Sequence, residues 1–188
     1  MTNNKLFRTA GWCALVGAIL FPLAMVSFIL SGTAPIAGMI GMIFEILSLL
    51  LLVFVFYALS IAHRSESKWL GFAGLIIMIA AIVVDVVSQQ NGSTFLFGLW
   101  YLLFSLPFLI FGYLALRSTL MPRGLAVLVL LAGVITFAAG IIGLLGNPDM
   151  ADSLQSFSIL FMLAWEVWLW RVLWSKKFTA ASPELAIA

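Results

Sequence analysis

Long apolar stretches separated by short polar connections run along almost the whole chain. Six of these stretches reach the roughly 20 mostly apolar residues that a membrane-spanning helix needs. They run over about 9–30, 36–62, 69–87, 95–116, 124–145 and 154–174. The connections carry turn residues, as in 90–93 and 146–149, and none is long enough to fold as a separate domain. The pattern predicts an all-α protein, with residues 1–188 forming one bundle of six transmembrane helices that ends in a short cytoplasmic tail over 175–188.

The composition supports a membrane protein and excludes several other classes. The chain is 64% hydrophobic and 9% charged, whereas soluble domains are about 45–50% apolar and about 25% charged. A net charge of +2 is too small to indicate a polyanionic partner such as a nucleic acid. Cys13 is the only cysteine, which excludes an intrachain disulfide and a multi-cysteine metal site. We therefore expect the lipid bilayer as a partner, and no nucleic acid, metal or cofactor.

The basic residues predict the orientation of the bundle. Every Lys and Arg falls before the first helix, at or just after the end of the last, or in the second or fourth connection. They are Lys5, Arg8, Arg64, Lys68, Arg117, Arg123, Arg171, Lys176 and Lys177. Cytoplasmic loops of membrane proteins carry an excess of Lys and Arg, so both termini are expected in the cytoplasm. Although Lys5 and Arg8 precede an apolar run as in a signal peptide, that run continues to Leu30, and we interpret it as a retained first transmembrane helix.

Three carboxylates are predicted within the hydrocarbon and are the candidate ligand-binding residues. Glu45 lies in the second helix, Asp85 in the third and Glu166 in the sixth. An ionisable group at such a depth costs about 2.5–3.5 kcal/mol on insertion scales, which makes it a functional candidate. If the three face one interior, they could bind a proton, a cation or a cationic substrate. The alternative is that each bonds a neighbouring carbonyl or hydroxyl and serves packing alone, and that Asp85 extends to the membrane interface.

Aromatic residues in the sixth helix allow two interpretations. Trp165, Trp168 and Trp170 lie deeper than the tryptophans near other helix ends. They either pack in the bundle and its aromatic belt, or Trp165 and Trp168 form the aromatic wall of a ligand pocket. Packing is the simpler interpretation.

Motifs for catalysis are missing from the sequence. It contains no nucleophile elbow, phosphate loop or dinucleotide fingerprint. His63 is the lone histidine, and we expect it to be a solvated loop residue rather than a base or ligand. An enzyme is therefore disfavoured, and no catalytic residue is predicted.

Small residues recur at spacings that bring them onto one helix face. Ala10, Ala14 and Ala18 are four residues apart in the first helix, and Ala139 and Gly143 share a face of the fifth. Close approach of backbones at small residues stabilises helix pairs in membranes. These positions are predicted to mark helix contacts, without indicating a function.

The sequence from Phe111 to Leu125 has a recognisable order of residues. A helix end with Gly-Tyr is followed by Arg117-Ser118, a two-residue gap, an apolar residue, Pro122-Arg123 and a Gly-containing apolar helix. This stretch resembles a bacterial domain-of-unknown-function family of small inner-membrane proteins with about six helices, and the resemblance is best over about 98–146. The resemblance implies a location in the inner membrane and a helical fold, but no activity.

Three functions remain open from the sequence. The first is binding or transport of a small amphiphile, cation or proton at the intramembrane carboxylates, which predicts that Glu45 and Glu166 face each other or a shared cavity. A variant of it is the substrate-binding subunit of an energy-coupling vitamin transporter. The second is a structural or accessory subunit that forms a homo-oligomer or joins a larger membrane complex, which predicts a filled bundle with outward-facing small-residue stripes. The third is a lipid-modifying enzyme, which would need polar residues at headgroup level.

Overall fold

Six α-helices make up the fold. The computed structural model describes residues 3–32 and 34–175. The helices are α1 (Asn3–Leu30), α2 (Pro35–Ala62), α3 (Arg64–Asn91), α4 (Thr94–Arg117), α5 (Arg123–Leu144) and α6 (Pro148–Leu173). Each is long and apolar enough to cross a membrane, and no strand occurs among the described residues. The predicted all-α bundle of six membrane-spanning helices is confirmed, whereas residues 176–188 of the predicted tail lie outside the described residues.

Several helices extend beyond their apolar stretches because their first or last turns are polar. The third helix was predicted over 69–87, but α3 occupies Arg64–Asn91 and only His63 separates it from α2. Ser67 has an extended backbone (φ −168°, ψ 106°), and its hydroxyl accepts a hydrogen bond from the Leu70 amide at 3.3 Å. Ser67 thus caps the apolar part of α3 as an N-cap residue does.

The sixth helix also begins earlier than its apolar pattern. The side chain of Asn147 accepts a hydrogen bond from the Met150 amide at 3.2 Å, and Pro148 occupies the first turn. An Asn cap followed by proline is a strong helix start, because proline's fixed φ suits that position and its missing N–H costs no hydrogen bond there. As a result, Asp149 and Asp152 belong to α6 rather than to the preceding connection.

The helices pack in chain order as a closed ring, with α6 against α1. At the closing contact, the Trp174 indole nitrogen donates to the carbonyl of Arg8 at 3.3 Å. The Arg8 guanidinium lies 5.2 Å from the centre of the Trp174 ring. Short turns make consecutive helices antiparallel, so the basic residues at the start of α1, α3 and α5 and the end of α4 and α6 share one end of the bundle. We call this the basic end.

Helices α4 and α5 approach each other closely at glycines. A Cβ at Gly98 would lie 2.7 Å from the backbone nitrogen of Leu144, and one at Gly140 would lie 2.7 Å from that of Leu102. Gly143 lies against Gly98 in the same contact. Side chains at these positions would force the two backbones apart, so glycine is required for this contact.

Substituting Gly98 by valine is expected to destabilise the bundle by about 1–3 kcal/mol, the usual cost of overpacking. The obstacle at Gly98 is backbone, which cannot move aside as a flexible side chain can. The midpoint of thermal unfolding in detergent measures the effect. Gly32→Val is the matched control, because nothing lies within 4 Å of a Cβ there. Equal midpoints for the two variants would contradict this account of the α4–α5 contact.

Candidate functional site

A large cavity lined by acidic residues lies at the end of the bundle opposite the basic end. It has a volume of about 540 Å³, and we call it the main cavity. Three carboxylates from three helices line it: Glu45 of α2, Asp85 of α3 and Asp152 of α6. Glu45 lies in the first half of α2, Asp85 near the end of α3 and Asp152 near the start of α6. The antiparallel order of the helices therefore brings all three to the same end.

Gln89 connects two of the predicted site residues. Its side-chain amide nitrogen donates to Glu45 Oε2 at 3.2 Å and to Asp85 Oδ1 at 3.2 Å. The two hydrogens of one amide group are thus shared between two carboxylates. Asp85 is only 2% exposed, so it points into the bundle rather than extending to the interface.

Asp152 is a third member of this group that the sequence interpretation missed. It was placed in a surface connection, but the earlier start of α6 turns it toward the cavity. The Tyr101 hydroxyl donates to Asp152 Oδ1 at 2.9 Å. The available signal was the Asn147-Pro148 pair, which marks the start of a helix four residues before Asp152.

Aromatic rings form much of the remaining wall of the main cavity. They come from α1 and α4 and comprise Phe21, Phe28, Phe97, Trp100 and Tyr101. Two buried polar atoms in this wall, the indole nitrogen of Trp100 and Oε1 of Gln155, have no hydrogen-bond partner. Such groups usually bond protein, water or ligand. The wall is therefore largely aromatic, and two of its residues hold buried polar atoms without a partner.

The charged side chains that line the main cavity are all acidic. No Lys or Arg from the part of the chain that the structure describes lines it; the described basic residues lie at the other end of the bundle. A concave site lined by carboxylates in a low-dielectric surrounding concentrates cations.

Glu166 lies deeper, next to a second and smaller cavity. This cavity has a volume of about 20 Å³ and lies between α1, α2, α4 and α6. Phe21 and Ile159 line both cavities. The structure thus brings Glu45 and Asp85 together in one site and places Glu166 in the adjacent one.

The two tryptophans considered as an aromatic wall lie elsewhere. Trp165 is buried among core rings, with its centroid 5.9 Å from that of Phe56 and 5.6 Å from that of Phe108. Trp168 is partly exposed on the outer side of α6 and packs against Gly124 of α5. Neither lines the main or the small cavity.

His63 is buried, and the expectation of a solvated loop residue is wrong. It is 1% exposed, and its Nδ1 lies 3.7 Å from Glu66 Oε2. Its ring centroid lies 6.4 Å from that of Phe111. Because α3 begins directly after His63, this residue sits at a tight helix corner rather than in a loop, far from the main cavity along the bundle.

The comparisons with known proteins agree with the resemblance drawn from the sequence around Phe111. Residues 84–174 match DUF4386, a domain of unknown function. The match includes the stretch 98–146 and confirms the resemblance to a domain-of-unknown-function family. No curated protein and no solved structure matches the chain. The DUF4386 match includes Asp85, Tyr101, Asp152 and Glu166, whereas Glu45 lies before it.

Proposed function

We propose that the protein binds a small organic cation in the main cavity. The observation that carries this proposal is the meeting of Glu45, Asp85 and Asp152 in one cavity of about 540 Å³ with an aromatic wall. Cavities of about 300–1,000 Å³ are typical of small-molecule sites. The volume and the aromatic wall favour an organic cation over a bare metal ion.

The carboxylates and the rings have complementary roles in this proposal. Glu45 and Asp85 provide negative charge at a fixed position, because Gln89 holds an oxygen of each by one amide nitrogen. The faces of Trp100 and Tyr101 attract a cation through their ring quadrupoles, an interaction worth about 0.5–2 kcal/mol depending on desolvation. Asp152 adds a third charge and is held by the Tyr101 hydroxyl.

The basic end supports a direction of access. If the excess of Lys and Arg marks the cytoplasmic side, both termini are cytoplasmic and the main cavity opens on the opposite side. In a bacterial inner membrane, the ligand would then arrive from the periplasm. This arrangement suits a protein that captures a cation for transport.

Packing within the bundle favours this function over a docking subunit. A docking role predicts a filled bundle with small residues facing outward. Ala10 and Ala14 are instead buried, and Gly98, Gly140 and Gly143 are used in the contact between α4 and α5. Only the presence of the cavity favours the variant in which the protein is the substrate-binding subunit of an energy-coupling vitamin transporter.

Single amide substitutions test the proposed site. Asp85→Asn and Asp152→Asn are each expected to weaken binding of choline, used as a probe cation, by about tenfold or more. Each removes one interaction of a charged group, worth about 1.5–3 kcal/mol. Isothermal titration calorimetry on the purified protein measures the affinities.

The matched control for these variants is Asp149→Asn. Asp149 lies on the same helix as Asp152 in the first turn of α6 but does not line the main cavity. Its substitution is expected to leave choline affinity within about twofold. A loss at Asp149 as large as that at Asp85 and Asp152 would point to a general effect of surface charge and would contradict the site.

A further inference from the structure

The carboxyl group of Glu166 points into the small cavity without a partner for one of its oxygens. Glu166 is 6% exposed, and its Oε2 has no hydrogen-bond partner. The cavity of about 20 Å³ that it lines also contacts Gly17 of α1 and Ser48 of α2. A buried, unpartnered carboxylate oxygen at a cavity is an unusual and costly arrangement that calls for an occupant.

Gly17 keeps the space beside this carboxyl group open. A Cβ at Gly17 would lie 3.9 Å from Glu166 Oε2, 4.0 Å from Oε1 and 3.9 Å from the carbonyl oxygen of Ser48. The gap is therefore bordered by oxygens of two helices. Its volume suffices for one water molecule, which needs about 10–15 Å³ by this measure.

Nearby charges do not balance a carboxylate at this position. Four helices line the cavity, and α5 packs on α6 beside them. Apart from Glu166, the charged residues on these five helices are Lys5, Arg8, Glu45, Arg117, Arg123, Asp149, Asp152 and Arg171. The ion pair found among the described residues joins His63 to Glu66, not to Glu166. An uncompensated charge inside the hydrocarbon is expensive, and a proton is the smallest partner that neutralises it.

We propose that Glu166 is a proton-binding site that exchanges its proton with the main cavity through one water molecule in the gap beside Gly17. The two cavities share Phe21 and Ile159 in their walls, so the small cavity is the immediate neighbour of the one that holds Glu45 and Asp85. In the exchange, a hydronium ion gives up a proton, an O–H bond forms on a carboxylate oxygen of Glu166, and neutral water remains. The proposal assigns a second site and stands whether or not choline binds in the main cavity.

Infrared spectroscopy of the full-length protein in lipid nanodiscs tests this site. A carboxylic acid C=O band is expected in the wild type and should be lost in Glu166→Gln. On transfer to D₂O, this band should shift rapidly in the wild type. In Gly17→Ala, the band should persist but shift at least about tenfold more slowly, because the new methyl group contacts the carboxyl group at an ordinary distance and displaces the water.

Controls keep the test decisive. Gly32→Ala adds the same methyl group where nothing lies within 4 Å and should exchange like the wild type. If Gly17→Ala does not fold, the comparison of wild type with Glu166→Gln still decides whether an exchangeable carboxylic acid is present. The proposal is overturned if Glu166→Gln loses no such band or if folded Gly17→Ala exchanges like the wild type. It is also overturned if adding sodium chloride removes the band, which would indicate a sodium site.

Discussion

Replacing Glu45 and Asp85 together by glutamine and asparagine is expected to abolish choline binding and to raise the unfolding temperature. Loss of two interactions of about 1.5–3 kcal/mol each corresponds to a decrease in affinity of at least about a hundredfold. Isothermal titration calorimetry and thermal unfolding of the same preparation give the two results.

The geometry around Gln89 explains why the double variant should lose choline affinity but gain thermal stability. Both carboxylates accept from the same amide nitrogen, and no basic side chain from residues 3–32 or 34–175 lines the cavity to offset them. Amides of the same shape remove the repulsion between the two acids and keep the capacity to accept from Gln89. Binding sites of this kind often reduce stability in return for function.

A purely structural role for the two acids predicts the reverse. If their hydrogen bonds serve packing alone, the double variant should lose stability and keep its affinity for choline. An increase of a few degrees, at roughly 2–4 °C per kcal/mol for a chain of this size, supports the binding role. A decrease in the unfolding temperature with unchanged affinity would contradict it.

Phe56→Ala is expected to cause the largest loss of stability of any substitution considered, about 3–5 kcal/mol. Phe56 of α2 is fully buried. Its ring contacts those of Phe108 and Phe111 of α4, with centroids 5.3 and 4.9 Å away, and that of Trp165 of α6. Removing it leaves a void where three helices meet. Chemical or thermal unfolding in detergent measures the change.

The matched control is Phe72→Ala, because Phe72 is 54% exposed on α3 and its loss should change stability by less than about 0.5 kcal/mol. Choline affinity of folded Phe56→Ala should stay near that of the wild type, since Phe56 does not line the main cavity. Similar stability losses in the two variants would show that the rings around Phe56 are not the core of the bundle.

The helices and the buried acids could be predicted from the sequence because both depend on hydropathy alone. A run of apolar residues identifies a membrane span, and a carboxylate within such a run stands out by its cost. Asp85 and Glu166 are buried as this reasoning predicts. The grouping of the acids depends on how each helix is rotated in the ring, which no apolar run reveals. Glu45 and Glu166 therefore line two adjacent cavities rather than the shared one that the sequence led us to expect.

Other parts of the site depend on helix ends, where hydropathy is least informative. Asp152 joins the cavity because Asn147 and Pro148 start α6 before its apolar stretch begins. His63 is buried because α3 starts with polar residues directly after it. The tryptophans of α6 stand out in the sequence by their depth in the helix. The aromatic wall of the main cavity nevertheless contains Trp100 of α4 and none of them, because depth along a helix does not determine which face of that helix points inward.

Calorimetric titration of the wild-type protein with choline and with its neutral carbon analogue, 3,3-dimethylbutan-1-ol, tests the central claim most directly. The two probes have nearly the same shape and differ in one positive charge. We expect choline to bind at least about tenfold more tightly, because carboxylates and aromatic faces recognise the charge. Equal affinity for the two compounds, or no binding of choline, would contradict an organic-cation site in the main cavity.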